Sequence, residues 1–189
     1  PIIVTLSQRL SAFIKHDISR CFALKGPPGT GKSVAALAAI NTLNMRCLKL
    51  PVNEMGVNEA DVIQIVQTLK PDVIIIDDID WASSHSPFLH ELESLRQLVK
   101  AIIVTLNSSN ELPLPMLRPG RIDEIIDVDS PPEEVVARII DKNDPNFDTI
   151  KSWPLAYITE YKTLKDVFSI EEATHAIAAL QQRVENQSE

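Results

Sequence analysis

The sequence predicts a three-layer α/β fold with a central, parallel five-stranded sheet, followed by a small helical region. Three observations lead to this prediction. Short apolar runs rich in β-branched residues alternate with amphipathic stretches over the first 130 residues, and only helical patterns follow from residue 131. A glycine-rich turn separates the first apolar run from an alanine-rich stretch. Buried strands that alternate with helices are typical of a parallel sheet with helices on both sides.

The apolar runs are bounded by turn residues and are too short to favour helices. They are predicted as strands at Cys21–Leu24, Cys47–Leu50, Val73–Ile76, Ala101–Leu106 and Ile125–Val128. Helices are predicted at Lys32–Asn44, Glu59–Leu69, Pro87–Leu98, Pro113–Leu117, Glu133–Lys142, Trp153–Tyr161 and Ile170–Val184. The last of these opens on a capping-box spacing, Ser169 to Glu172. Residues 1–130 are therefore assigned to an α/β domain and residues 131–189 to a helical domain.

Composition excludes several classes of protein. Apolar residues make up 44% of the 189 residues and charged residues 23%, which is typical of a soluble globular chain. No apolar run approaches the roughly 20 residues that span a bilayer, and no signal peptide is expected. The net charge of −8 disfavours a duplex-binding surface, although a local basic loop would escape this test. The chain begins at Pro1 rather than methionine, and the sequence leaves open whether a segment precedes it. Cys21 and Cys47 lack CxxC spacing, which favours reduced core thiols and a cytoplasmic location.

One segment fits the phosphate-loop pattern G-x-x-x-x-G-K-[ST] at every position. It reads Gly26-Pro27-Pro28-Gly29-Thr30-Gly31-Lys32-Ser33 and holds three of the chain's five glycines. In such loops backbone N–H groups surround the β-phosphate, the lysine reaches the β- and γ-phosphates, and the final hydroxyl binds Mg²⁺. We therefore predict that this segment and the adjoining Val34 bind ATP and Mg²⁺. A glycine-rich turn without a ligand is the alternative, and the strand before and helix after the segment favour phosphate binding.

Two carboxylates, Asp77 and Asp78, follow the predicted strand Val73–Ile76. In phosphate-loop enzymes the first acid at such a strand end holds Mg²⁺, and we assign this role to Asp77. The second acid is the candidate for polarising the attacking water, so Asp78 is the predicted general base. For Asp78 the alternative is a solvated carboxylate that caps the following turn.

With these motifs the chain resembles the AAA+ ATPases, in particular the branch whose phosphate loop reads GPPGTGK[ST]. Two further stretches carry the resemblance. Ile102–Asn107 is similar to the family's fourth strand, which ends in a polar "sensor 1" residue near the γ-phosphate. Residues 116–123, MLRPGRID, are similar to the family's LLRPGRFD segment, with Ile122 where phenylalanine is usual. The resemblance covers nearly the whole chain and is specific to the superfamily.

The resemblance implies a P-loop NTPase core followed by a helical lid. It identifies Asn107 as sensor 1 in preference to Asn110, because Asn107 lies eleven residues before Arg118, as in the family. It identifies Arg118 and Arg121 as arginine fingers that act in trans, and so implies a homo-oligomeric ring, most often a hexamer. An Arg-Pro-Gly-Arg turn whose arginines pair with surface acids is the alternative. Within the lid, Ile139 is the implied contact with the nucleotide base.

Three stretches depart from the family pattern. Asp78 stands where glutamate is common, which puts the rate of hydrolysis in question. Residues 153–156 contain neither the Gly-Ala pair nor the "sensor 2" arginine that often opens a later lid helix. Glu54-Met55-Gly56 lies where polypeptide-threading members carry an aromatic pore loop, and a plain loop is an equally good interpretation.

The function predicted from these features is that of a Mg²⁺-dependent ATPase. It would bind and hydrolyse ATP at the subunit interfaces of a ring and so remodel a macromolecular substrate, an unidentified protein. One alternative is an ATP-gated assembly or interaction module with weak or no hydrolysis, which Asp78 motivates. The other is a clamp-loader or initiator-like DNA-processing factor, which the negative charge disfavours without excluding nucleic acid. No membrane partner is predicted.

Overall fold

The computed structural model describes residues 2–50, 59–77, 88–107, 112, 114–118 and 120–186. The chain divides into two compact units. The first consists of Pro1–Pro28 and Lys32–Val128, and the second of Gly29–Gly31 and Asp129–Glu189. No helix within the described ranges is long and apolar enough to cross a membrane.

A single parallel sheet forms the centre of the first unit. Its strands are β1 (Arg20–Gly26), β2 (Cys47–Leu50), β3 (Val73–Ile76), β4 (Ala101–Asn107) and β5 (Glu124–Asp127). They lie in the order β2-β3-β4-β1-β5, and every neighbouring pair is parallel. The carboxyl ends of β3, β4 and β1 therefore meet at one edge of the sheet. The predicted parallel five-stranded sheet is confirmed.

Helices cover the sheet because its strands alternate between two apolar faces. Along β3, Val73 and Ile75 pack with Leu6 in one core cluster, whereas Ile74 and Ile76 pack in the other. Successive strand residues point to opposite faces, so a strand of four apolar residues buries both of its sides. The helices of this unit are α1 (Ile2–Lys15), α2 (Lys32–Thr42), α3 (Glu59–Leu69) and α4 (Phe88–Arg96), with a 3₁₀ helix at Leu114–Leu117.

Helix α1 is an element that the sequence analysis did not predict. Its first residues are Ile2, Ile3 and Val4, and β-branched residues at a helix start weaken the helical pattern. The helix buries Leu6 and Leu10, which lie one turn apart and pack into the sheet core. Leu6, Leu10 and Phe13 thus recur at helical spacing, and packing of this face on the sheet offsets the low helix propensity of the β-branched start.

The second unit is helical and has a core of its own. Its helices are α5 (Glu133–Val136), α6 (Phe147–Ile150), α7 (Leu155–Val167) and α8 (Ile170–Asn186). The buried residues of this core are Val136, Ile140, Phe147, Ile150, Ile158, Tyr161, Ala173 and Ile177, of which Ile140 lies in the turn after α5. At the start of α8, the Ser169 N–H and hydroxyl both donate to Glu172 Oε2, and the Glu172 N–H donates back to Ser169 Oγ. The predicted capping box is thus present.

In this unit α6 was not predicted, α8 ends two residues beyond its predicted end at Val184, and two helices differ more from their predicted lengths. The helix predicted at Glu133–Lys142 ends at Val136, and the next residues tighten so that the Ile139 N–H donates to Val136 O at 2.8 Å. The Asp141 carboxylate then accepts the Asn143 N–H at 2.9 Å, a local bond that competes with helix propagation. Helix α7 begins after Pro154 and continues to Val167, beyond the predicted end at Tyr161.

Both cysteines are free thiols, and Cys21 belongs to the core. Burial, aided by the negative charge of Asp123 and opposed by Arg96, raises the pKa of the Cys21 thiol to about 12. The thiol therefore stays protonated at neutral pH and acts as a small apolar side chain rather than a nucleophile.

Candidate functional site

The carboxyl edge of the sheet gathers residues that the sequence analysis assigned to a nucleotide site. Gly26 ends β1 and is paired in register with Asn107, which ends β4. Asp77 follows β3, the strand on the other side of β4. Open α/β sheets bind their ligands at this edge, outside the carboxyl ends of the strands.

Lys32 and Asn107 meet at this edge. The Lys32 ammonium is almost fully buried and donates to the carbonyl oxygens of Gly26 and Pro27, each at 2.9 Å. It also donates to Asn107 Oδ1 at 3.2 Å. The two residues lie 75 positions apart in the chain, and the parallel pairing of β1 with β4 brings them together. Asn107 therefore lies beside Lys32 at the carboxyl edge of the sheet, and its role as sensor 1 stays a prediction.

Two loop glycines adopt backbone conformations that L-residues rarely use. Gly29 has φ of 78° and Gly31 has φ of 89°, both in the left-handed region. Within the second unit, the Gly29 carbonyl accepts the Ala156 N–H at 2.9 Å. A Cβ on Gly31 would lie 2.9 Å from Leu155 Cδ2 in the same unit. The backbone conformation thus favours glycine at both positions, whereas the Leu155 methyl lies at the end of a flexible side chain and can move aside.

Asp77 is the centre of a hydrogen-bonded cluster. Its Oδ1 accepts from the Ser33 hydroxyl at 2.5 Å and from the Thr105 hydroxyl at 2.6 Å, while its Oδ2 accepts from Lys49 Nζ at 2.6 Å. Burial by itself would raise the pKa of the Asp77 carboxyl. The bonds from Lys49, Ser33 and Thr105 outweigh burial, so this pKa lies below its usual value and the group is ionised at neutral pH.

The residues of this cluster suit a magnesium ion. Mg²⁺ prefers hard oxygen ligands, and in phosphate-loop proteins the loop hydroxyl and the strand-end acid supply them. Here the Ser33 hydroxyl and the ionised Asp77 carboxylate are in direct contact. Within the described part of the chain, no group of three or more His, Cys, Asp or Glu side chains could hold a metal. A metal at this edge would therefore depend on water and phosphate oxygens for its other ligands.

Sequence reasoning missed Lys49 and Thr105. Each is a polar residue inside an otherwise apolar strand, and each lies within two residues of the strand's carboxyl end. Strand interiors in a parallel sheet are apolar, and ligands bind at the carboxyl ends of the strands. A polar residue near that end of a strand therefore predicts a position close to the ligand. What the sequence could not show is that both side chains reach Asp77.

The two predicted arginine fingers differ in their surroundings. The Arg118 side chain is exposed, and it makes no hydrogen bond or ion pair with any residue that the structure describes. Arg121 has only 13% of its side chain exposed. Its guanidinium donates to Glu93 Oε1 and to the Pro115 carbonyl, each at 2.9 Å. The predicted alternative, pairing with a surface acid, thus describes Arg121, whereas no acid in the described ranges pairs with Arg118.

The neighbouring Asp123 is a structural residue that the sequence analysis did not single out. Its largely buried carboxylate accepts from the Arg20 and Arg96 guanidinium groups at 2.9 and 3.1 Å. It also accepts the Cys21 N–H at 2.8 Å. These bonds fix the end of the MLRPGRID segment to β1 and α4, and so hold the segment that carries both arginines.

The functional roles assigned to all these residues stay predictions, and the structure places the remaining ones as follows. Val34 lies on α2 and is exposed, whereas Ile139 is partly buried and packs against the core of the second unit. Asp78, Asn110 and the stretch Glu54-Met55-Gly56 lie outside the described residues.

The chain has a strand–loop–helix with the full phosphate-loop sequence, and the loop lysine is bonded to loop carbonyls. The hydroxyl of Ser33, at the start of α2, contacts the carboxylate of Asp77, which follows β3. These features together define a P-loop nucleotide-binding protein. The family described as "ATPase family associated with various cellular activities (AAA)" matches residues 22–130, more than half of the chain. The chain belongs to this family, and the predicted membership of the AAA+ ATPases is confirmed.

Curated relatives support the same assignment. The chain is 30% identical over 135 residues to an uncharacterized AAA domain-containing protein, ycf46, of Guillardia theta, covering 60% of this chain and 27% of that protein. It is 28% identical over 192 residues to the protein of the same name in Trieres chinensis, covering 90% and 38% respectively. It is 30% identical over 136 residues to proteasome-activating nucleotidase 1 of Haloferax volcanii, covering 59% and 34%. The chain thus spans well under half the length of these relatives.

Proposed function

We propose that this chain is a Mg²⁺-dependent ATPase that acts at the subunit interfaces of a homo-oligomeric ring, most simply a hexamer, to remodel a macromolecule. The observation that carries the proposal is the direct contact of Ser33 with Asp77, beside the contact of Lys32 with Asn107. Family membership supports nucleotide binding and ATP as the substrate.

Each site residue has a defined part in the proposed reaction. Lys32 binds the β- and γ-phosphate oxygens, and the Asn107 amide orients the γ-phosphate and attacking water from the side of Lys32. Mg²⁺ held by Ser33 and Asp77 would neutralise phosphate charge. A water oxygen attacks the γ-phosphorus, the bond from γ-phosphorus to the bridging oxygen breaks, and ADP carries away that electron pair. Asp78, next in the chain after Asp77, accepts the proton of the water.

The proposed protein substrate has support from one group of relatives. The chain is similar to nucleotidases named for activating the proteasome, at 28–30% identity over about three fifths of its length. The net charge of −8 points in the same direction, because a nucleic-acid substrate favours a basic surface. A protein partner is therefore favoured over nucleic acid.

The proposal predicts that ATP hydrolysis depends on assembly. If each site needs an arginine from a neighbour, the phosphate released per molecule should rise as protein concentration rises through the range in which oligomers form. Phosphate release is measured over that range, and the oligomer is followed in parallel by light scattering. No phosphate release from the assembled protein would exclude the ATPase and leave ATP-gated assembly, which Asp78 in place of glutamate favours.

Replacing Arg118 by alanine should leave ATP affinity and thermal stability unchanged, because this side chain bonds to nothing else in the described ranges. Turnover should fall by at least about 100-fold, since a finger arginine stabilises only the transition state. The Arg121→Ala variant should also lose turnover, and in addition it should unfold at lower temperature because its guanidinium bonds to Glu93. Phosphate release and thermal unfolding of the two variants check this difference.

Mixing variants tests whether the arginine acts in trans. An Arg118→Ala subunit keeps its phosphate loop, and a Lys32→Ala subunit keeps its arginine. Equal amounts of the two should therefore regain activity that neither has alone. No recovery in oligomers that contain both variants would show that Arg118 does not serve a neighbour's site.

A further inference from the structure

Lys49 supplies a positive charge to the carboxylate assigned to magnesium. It is the one charged residue of β2, a strand whose other residues are cysteine and leucine. Parallel pairing of β2 with β3 sets Lys49 opposite Ile75, two residues before Asp77. From there Nζ reaches Asp77 Oδ2 at 2.6 Å, with 49% of the lysine side chain and 17% of the aspartate side chain exposed.

The two oxygens of Asp77 have different partners. Oδ1 accepts from the hydroxyls of Ser33 and Thr105, which are neutral. Oδ2 accepts from the Lys49 ammonium, which carries a full charge. Oδ1 and the Ser33 hydroxyl thus form the oxygen pair suited to a metal, and Oδ2 holds a counter-ion that the chain itself provides.

A cation beside a carboxylate reduces the attraction of that carboxylate for a second cation. The charge of the Lys49–Asp77 pair sums to zero, so a divalent ion that approaches Ser33 meets less negative charge than a lone aspartate offers. Repulsion between a unit charge and a divalent ion a few ångströms apart lowers the affinity of the site for that ion about tenfold, even in a water-like medium. Because about half of the Lys49 side chain is exposed to solvent and salt, we expect the loss of affinity to stay near this tenfold value.

We propose that Lys49 is a resident counter-ion of Asp77 that weakens the affinity of the site for a divalent cation, so that the metal enters together with the nucleotide phosphates. The inference rests on the proposed nucleotide site. It assigns Lys49 the role of lowering the affinity for the metal. A lysine that only oriented Asp77 would instead raise this affinity.

The test measures the affinity of the full chain, with ADP bound, for Mn²⁺, an ion that occupies Mg²⁺ sites. Free Mn²⁺ is followed by electron paramagnetic resonance during a titration at constant pH and salt. Lys49→Met removes the charge and keeps the length of the side chain, and it should bind Mn²⁺ about tenfold more tightly than the wild type. Lys49→Arg keeps the charge and should bind like the wild type. Lys49→Gln provides a second neutral variant in case the methionine variant does not fold.

A matched control lies at the opposite edge of the sheet. Lys100 Nζ pairs with Asp72 Oδ1 at 2.9 Å, with 54% and 17% of the two side chains exposed, almost the values of the Lys49–Asp77 pair. Lys100→Met should therefore leave Mn²⁺ affinity unchanged. If the neutral Lys49 variants bind ADP but bind Mn²⁺ no more tightly than the wild type, the counter-ion role is wrong. If the wild type binds neither ADP nor Mn²⁺, both this inference and the proposed nucleotide site are wrong.

Discussion

Lys32→Ala should abolish nucleotide binding, with a loss of at least about 100-fold in affinity for both ATP and ADP. The ammonium is held at the phosphate loop by the Gly26 and Pro27 carbonyls and by Asn107. A hydrogen bond from this ammonium to a charged phosphate oxygen is charge-assisted, and such bonds are about twice as strong as bonds between neutral groups. Alanine removes the charge and every one of these bonds.

Isothermal titration with ADP measures this loss without the complication of hydrolysis. Lys70→Ala is the matched control, because Lys70 is an exposed lysine in the turn between α3 and β3, at the amino edge of the sheet. It should bind ADP like the wild type. Normal ADP affinity in a folded Lys32→Ala protein would contradict the nucleotide site as a whole.

The Asp144→Ala variant should destabilise the second unit by about 3 kcal/mol, since it leaves one buried and two partly buried donors without their acceptor. The Asp144 side chain is fully buried. It accepts from Lys165 Nζ at 2.6 Å, from the Asn146 N–H at 2.9 Å and from the buried Tyr161 hydroxyl at 3.1 Å. Because the Lys165 side chain is 30% exposed and can turn toward water, we place the cost at the low end of the range for a broken buried pair.

Trp153 provides the measurement. Its ring meets Tyr161 edge to face, with centroids 6.4 Å apart, so its fluorescence reports on the core around Asp144. The chain's other tryptophan, Trp81, is replaced by phenylalanine in both the wild-type and variant backgrounds. Urea unfolding followed through Trp153 should show a clear shift for Asp144→Ala.

An exposed ion pair of equal length is the control for this prediction. Lys151 Nζ lies 2.6 Å from Asp148 Oδ1, the same distance as in the Lys165–Asp144 pair, but the Asp148 side chain is 90% exposed. Asp148→Ala should therefore leave stability unchanged, as exposed pairs contribute little. Equal losses in the two variants would show that burial is not the cause.

The same carboxylate should make stability depend on pH. Burial by itself would raise the pKa of Asp144, but bonds from Lys165, Asn146 and Tyr161 outweigh burial and hold this pKa below its usual value. A carboxyl with a lower pKa when folded stabilises the protein above its unfolded pKa of about 3.9. That stability is lost as pH falls through the folded pKa. The wild type should thus lose stability below about pH 4, and Asp144→Asn should lose less over the same range.

Local sequence was sufficient where the chemistry is local. Residues 26–33 are contiguous, and the glycine, lysine and serine positions follow from what a phosphate loop needs between a strand and a helix. The strands were predictable for a related reason, because residues buried on both faces read as continuous apolar runs such as Val73–Ile76. Helix α1 was missed although Leu6, Leu10 and Phe13 recur at helical spacing and pack on the sheet, because its first residues, Ile2–Val4, are β-branched and have low helix propensity.

The chain's sequence by itself determined the family, the individual strands and the identity of the phosphate loop, since each is marked by short contiguous motifs or apolar runs. Only the tertiary structure decided which distant side chains meet. It joined Lys32 to Asn107 and Lys49 to Asp77, and it paired Arg121 with Glu93 while leaving Arg118 exposed. The physical reason is that strand order and register, which no local pattern encodes, set which strand ends share an edge of the sheet.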